Sequence, residues 1–130
     1  MGSYNSTLTL QKLVFDKIQF DRKGFKNDSE LKFNIQVQIG ISEDSIYKVT
    51  LILNADKQEE YEIVISLSGF FKIEGMDKLD DKMVQDLITK NSVSILMPYL
   101  RSELTLLTAQ PETDNVVLPP FNINKMLDKN

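Results

Sequence analysis

Leu31-Lys32-Phe33-Asn34-Ile35-Gln36-Val37-Gln38-Ile39-Gly40-Ile41 alternates without a fault between apolar and polar or small residues. Successive side chains of an extended strand point to opposite faces, so this stretch gives a strand with one face for a core and one for water. Ser42-Glu43-Asp44-Ser45 follows as a polar turn. The next strand covers about Ile46–Asn54, with Tyr47, Val49, Leu51 and Leu53 on one face, and Ala55-Asp56-Lys57-Gln58 is a second turn. In the long strand beyond it Tyr61, Ile63, Ile65, Leu67, Gly69, Phe71 and Ile73 share a face. Gly69 within that run predicts a bulge or a bend. Turns of about four residues join antiparallel neighbours, because a parallel crossover needs about a dozen.

Upstream the pattern is broken. Leu8, Leu10, Val14, Ile18 and Phe20 share parity, Lys12 and Asp16 interrupt them, and Leu13 and Phe15 fall on the other side. The expectation is one strand with a bulge or break in its middle. The polar stretch Asp21–Ser29, with its single aromatic Phe25, is long enough to be a crossover loop.

Downstream the period becomes helical. Leu79, Met83, Val84, Leu87 and Ile88 have helix spacing, with Asp77 as N-cap and Asp80 and Asp81 where the helix dipole favours acids. Asn91-Ser92 is expected to end that helix, and a second one is expected over Ser94–Ala109 with Pro98 bending its first turn. This second helix carries two apolar stripes, Leu96, Leu100, Leu104 and Leu107 on one, Ile95, Tyr99 and Leu106 on another. A helix packed on one side needs one stripe. Either the second stripe meets another subunit, or the chain's own final segment covers it. Phe121, Met126 and Leu127 suggest a short terminal helix. The whole chain, 1–130, reads as one α+β domain: a strand, a long crossover loop and a three-strand meander in a four-stranded antiparallel sheet, then two to three helices.

Composition narrows function. The 130 residues include no histidine, cysteine or tryptophan and carry a net charge of −4. Imidazole bases, thiolate nucleophiles and ordinary transition-metal sites are thereby excluded. Acidic clusters exist at Asp77, Asp80 and Asp81, at Glu59-Glu60 and at Glu43-Asp44, but they sit at turns and a helix start, where acids serve solubility and the dipole. No phosphate loop, nucleophile elbow or calcium-loop spacing is present, so an enzyme, a metal site and a cofactor are not expected. The negative charge and the lack of a basic stripe weigh against nucleic acid. No apolar run approaches the about 20 residues of a membrane span. Without a secretory signal or cysteines, the expected compartment is the cytoplasm.

Five segments, in order, resemble the protein-export chaperone SecB family. Gly69-Phe70-Phe71-Lys72-Ile73-Glu74-Gly75 is similar to its glycine-aromatic stretch ending in Ile-x-Gly. Ser94-Ile95-Leu96-Met97-Pro98-Tyr99-Leu100-Arg101 is similar to its Asn-Ile-Leu-Phe-Pro-Tyr-x-Arg helix start, and Leu118-Pro119-Pro120-Phe121-Asn122 to its Leu-x-Pro-x-Asn entry to the last helix. Ser29–Ile35 resembles the family's second strand, and Leu10–Leu13 with Ile18–Asp21 its first.

The resemblance implies an ATP-independent holdase for unfolded preproteins, assembled as a dimer or a dimer-of-dimers tetramer. It implies that Leu31, Phe33 and Ile35 line the client groove, with Phe25 in the crossover loop and Leu118, Phe121 and Met126 flanking it. Ile95, Leu96, Tyr99, Leu100 and Leu106 are assigned to subunit packing. The family's motor-binding tail with Cys and His is missing after Leu127, and Lys17, Val64 and Glu62 stand where the family has an acid, an acid and an apolar residue; Asp21 keeps the expected sign. These departures count against docking on the motor SecA and favour another client, such as the antitoxin of a toxin–antitoxin–chaperone system. A non-chaperone oligomeric adaptor with one dedicated partner would use the same apolar surfaces.

Overall fold

Four strands and one helix form the chain in the computed structural model, which describes residues 7–42, 46–74 and 81–119. They are β1 (Thr7–Arg22), β2 (Leu31–Ile41), β3 (Ile46–Lys57), β4 (Tyr61–Glu74) and α1 (Asp81–Thr108). The sheet is antiparallel with strand order β1-β4-β3-β2. Strands β2, β3 and β4 form the expected meander. The loop after Arg22 carries the chain from one edge of the sheet to the other.

Register puts the odd-numbered residues of β2, β3 and β4 on one face, in rows such as Ile35↔Leu53↔Ile65 and Val37↔Leu51↔Leu67. Val49, Leu51, Leu53, Ile63, Ile65, Leu67 and Phe71 are fully or almost fully buried there. Burying one such side chain stabilises the fold by about 1.5–3 kcal/mol. Strand β3 runs to Lys57, beyond the expected Asn54, because Ala55 and Lys57 continue the inward parity.

The irregularity of β1 is two register shifts, between Leu10 and Lys12 and between Phe15 and Lys17. Each inserts one residue and resets the phase. As a result Leu8, Leu10, Leu13, Phe15, Ile18 and Phe20 oppose Ile73, Phe71, Gly69, Leu67, Ile65 and Ile63, all on the inner face. Lys12 and Lys17 turn outward. The inserted Asp16 accepts a 2.5 Å hydrogen bond from Ser68 Oγ, which also meets Thr50 Oγ1 at 2.8 Å.

Gly69 makes no bulge in β4; it pairs regularly with Val49. Its role is close approach. A Cβ at this position would lie 2.7 Å from Leu96 Cδ2 and 2.8 Å from Phe71 Cε1.

The expected break at Asn91-Ser92 does not occur, and α1 is continuous through both residues. Ser92 and Val93 are buried, and Ser92 Oγ donates to the Thr89 carbonyl at 3.2 Å. Packing on the sheet outweighs weak helix propensity. One helix therefore stands where two were expected among the described residues, and Pro98 lies inside it on an exposed side. The expected N-cap Asp77 and the terminal helix around Phe121, Met126 and Leu127 fall outside the described residues. No described helix is long and apolar enough to cross a membrane.

Candidate functional site

The helix packs on β3, β4 and β1 rather than over β2. Large apolar residues are therefore left partly uncovered on the inner face of β2: Phe33 is 39% exposed, Ile39 37% and Ile41 62%. They share parity with the core residues of the same strand. Phe33 stands beside Ala55, which is itself buried. Leu31 is half-buried and Ile35 is 7% exposed, so these two form the floor of this strip and Phe33 its accessible wall. Ile39 and Ile41 extend the strip and were not singled out from sequence. Their parity with Phe33 was the available signal.

Phe25 is 89% exposed in the crossover loop. Leu118 is buried at 3% and belongs to the core, not to an open surface. Phe121 and Met126 lie outside the described residues.

The crossover loop is fixed by a charge network. Lys57 Nζ lies 2.9 Å from Glu60 Oε1, and both side chains are nearly or wholly buried. The Asn27 backbone N–H donates to the same carboxylate at 2.9 Å, and Asn27 Nδ2 donates to the Gln58 carbonyl. The N–H groups of Lys23 and Gly24 donate to the Glu60 carbonyl. Asp114 then joins Lys26 at 2.9 Å and Lys57 at 3.5 Å, and Arg22 Nη2 donates to Thr113 Oγ1. Crossover loop, β3–β4 turn and the segment after α1 are thus tied at one point. Burial pushes the Glu60 carboxyl up, but the hydrogen bonds from Lys57 and Asn27 and the Lys57 charge outweigh it and hold the pKa below the usual glutamate value. The hydrogen bond to Glu60 raises Lys57 against the effect of burial. Glu59-Glu60 was expected as a solvated acidic pair; Glu60 is wholly buried instead, because Lys57 of β3 points inward to meet it.

On α1 the two stripes separate clearly. Leu96, Leu100 and Leu104 are fully buried under the helix, so Leu96 and Leu100, assigned from sequence to subunit packing, are core residues of the protomer. Their side chains are already covered by its own sheet. The second stripe is open: Ile95 is half-buried, Tyr99 is 45% exposed and Leu106 68%. Among the described residues, the segment after α1 meets the helix beside this stripe, where Thr105 Oγ1 donates to the Val116 carbonyl at 2.8 Å. Between helix and segment lies a depression of about 570 Å³ lined by Pro98, Arg101, Ser102, Thr105, Leu106, Val117 and Leu118.

The fold is SecB-like. A SecB-like chaperone from Mycobacterium tuberculosis, solved in complex with a ChAD peptide from the HigA1 antitoxin, superposes with a TM-score of 0.67 at 13% identity, over 88% of this chain and 91% of that one. A protein of unknown function from Streptococcus agalactiae superposes with a TM-score of 0.57 at 12% identity, over 88% and 98%. In sequence, the chain is 25% identical over 113 residues to an uncharacterized protein of Methanocaldococcus jannaschii, covering 78% of this chain and 70% of that protein. No family model matches. Among the described residues no group of His, Cys, Asp or Glu is arranged to hold a metal ion.

Proposed function

We propose that this chain is an ATP-independent chaperone that holds non-native polypeptide segments against the inner face of β2, with Phe33 as principal contact and Ile39 and Ile41 beside it. The observation that carries this is the SecB-like sheet whose helix stops short of β2 and leaves three large apolar side chains partly open. Each contact with a client is weak. Several on one unfolded chain multiply through effective concentration. Leu31 and Ile35 form the floor, and Phe25 extends the surface into the crossover loop. The open stripe Ile95, Tyr99 and Leu106 packs against a second copy, giving a dimer or tetramer in the cytoplasm.

A second reading, a chaperone dedicated to one antitoxin, is favoured by the antitoxin peptide bound to the M. tuberculosis neighbour. Docking on SecA finds no comparable support, since Lys17 and Val64 occupy outer-face positions where the resembled family is acidic. The test is light-scattering aggregation of several unrelated denatured proteins with and without the chain. General suppression supports the holdase. Binding of one unfolded segment alone supports the dedicated chaperone, and binding of only a folded partner supports an adaptor and contradicts both.

A further inference from the structure

The outer face of the sheet is electrically divided along its strands. At one end, register brings Asp21, Glu62, Asp56 and Lys32 into one row, and Lys23 meets Glu62 at 2.7 Å and Asp56 at 3.5 Å. Glu62 and Asp56 there already share the Lys23 cation, and Asp21 accepts a hydrogen bond from Gln19. About 27 Å away along β4, Phe70 is flanked directly by Lys12 on β1 and Lys48 on β3. Both ammonium groups lie over its half-buried ring, 5.9 Å and 5.8 Å from the centroid. Lys17 is exposed on the same face. Among the described residues no carboxylate lies within ion-pair distance of Lys12, Lys17 or Lys48. Lys72 meets Glu74 at 3.8 Å, and the Asp16 carboxylate accepts from Ser68.

We propose that the Lys12–Phe70–Lys48 row is a docking surface for an acidic segment of another protein. Its carboxylates bridge the two lysines with Lys17 alongside, and an apolar side chain lies against the rim of Phe70. The lysines converge on one ring at the cost of mutual repulsion, and an anionic partner removes that cost. A nucleic acid fits less well. Base stacking needs a free aromatic face, and here ammonium groups occupy the ring; Phe70 is also the sole aromatic on this face among the described residues, in a chain of net charge −4. This surface lies on the opposite side of the sheet from Phe33, so it stands independently of the holding function.

The test is fluorescence anisotropy of the full chain with a labelled glutamate-rich peptide carrying one central phenylalanine, with its lysine-for-glutamate counterpart and with oligo(dT). The acidic peptide should bind, weaken with salt, and lose affinity about tenfold or more in Lys12→Glu/Lys48→Glu, both substitutions being on exposed side chains. Lys12→Gln/Lys48→Gln should give an intermediate loss with an unchanged circular dichroism spectrum, and Phe33→Asp should leave the affinity unaltered. Absence of binding, stronger binding of oligo(dT), or loss on Phe33→Asp with none on lysine reversal would each overturn the proposal.

Discussion

Leu96 rests directly on Gly69, and a β-carbon on the glycine would come within 2.7 Å of the leucine Cδ2. The contact limits how closely α1 approaches the sheet. Phe71 closes the other side at 2.8 Å, and both neighbours are fully buried with little room to move. Gly69→Ala should destabilise the protein by about 1–3 kcal/mol. A denaturant midpoint unchanged from wild type would show that the helix yields freely.

The buried pair predicts an asymmetric pair of mutants. Glu60→Leu leaves Lys57 buried with only the exposed Asp114 at 3.5 Å, and should cost about 3–5 kcal/mol. Lys57→Met/Glu60→Leu removes both charges and should recover most of that loss. Equal destabilisation by single and double mutants in urea would mean that the pair is a net stabiliser in itself.

The pH profile follows from the same groups. Glu60 is depressed as described, and Asp114 is depressed chiefly by its hydrogen bond to Lys26. A depressed carboxyl contributes stability that is complete above its unfolded value, about pH 4, and is lost as pH falls through the folded value. Lys57, raised by its hydrogen bond to Glu60, contributes stability complete below its unfolded value, about pH 10, and lost as pH rises through the folded one. The chain has no histidine to titrate between. Thermal midpoints should therefore be nearly flat from about pH 5 to 8 and fall below about pH 4, less steeply in the double mutant than in wild type.

The open helix stripe predicts self-association. Tyr99→Glu/Leu106→Lys should shift the protein toward monomer in native mass spectrometry without loss of helix signal, since both side chains are exposed in the protomer. Wild type seen only at the monomer mass would remove this role from the stripe.

Strands β2 to β4 are legible because one parity carries most of their apolar residues from end to end, with Ile46, Ile52, Val64 and Phe70 on the other face. Strand β1 was only half legible. Its alternation is phased three times; Asp16 interrupts the apolar parity in the sequence, but nothing local marks Gln11 rather than Lys12 as the other inserted residue, and the partner strand decides that. The continuity of α1 through Asn91-Ser92 is not legible in the sequence because local propensity is weak there, while burial of Val93 and Leu96 against the sheet is strong. At the candidate site, parity pointed to Phe33, but only the position of α1 separates accessible Phe33 from buried Ile35. The same limit applies to Leu96 and Leu100 against Tyr99 and Leu106: the stripes were visible, their partners were not. Glu60 beside Glu59 gave no signal of burial, because its counter-ion arrives through the register of β3.

The holding function is tested most directly by comparing wild type with Phe33→Asp in suppression of aggregation of denatured proteins, with circular dichroism and thermal melting on the same samples. Phe33 is 39% exposed, so the aspartate can reach water. The expected result is a folded variant that binds clients markedly more weakly. A folded variant that holds clients as well as wild type would contradict the assignment of the site to β2.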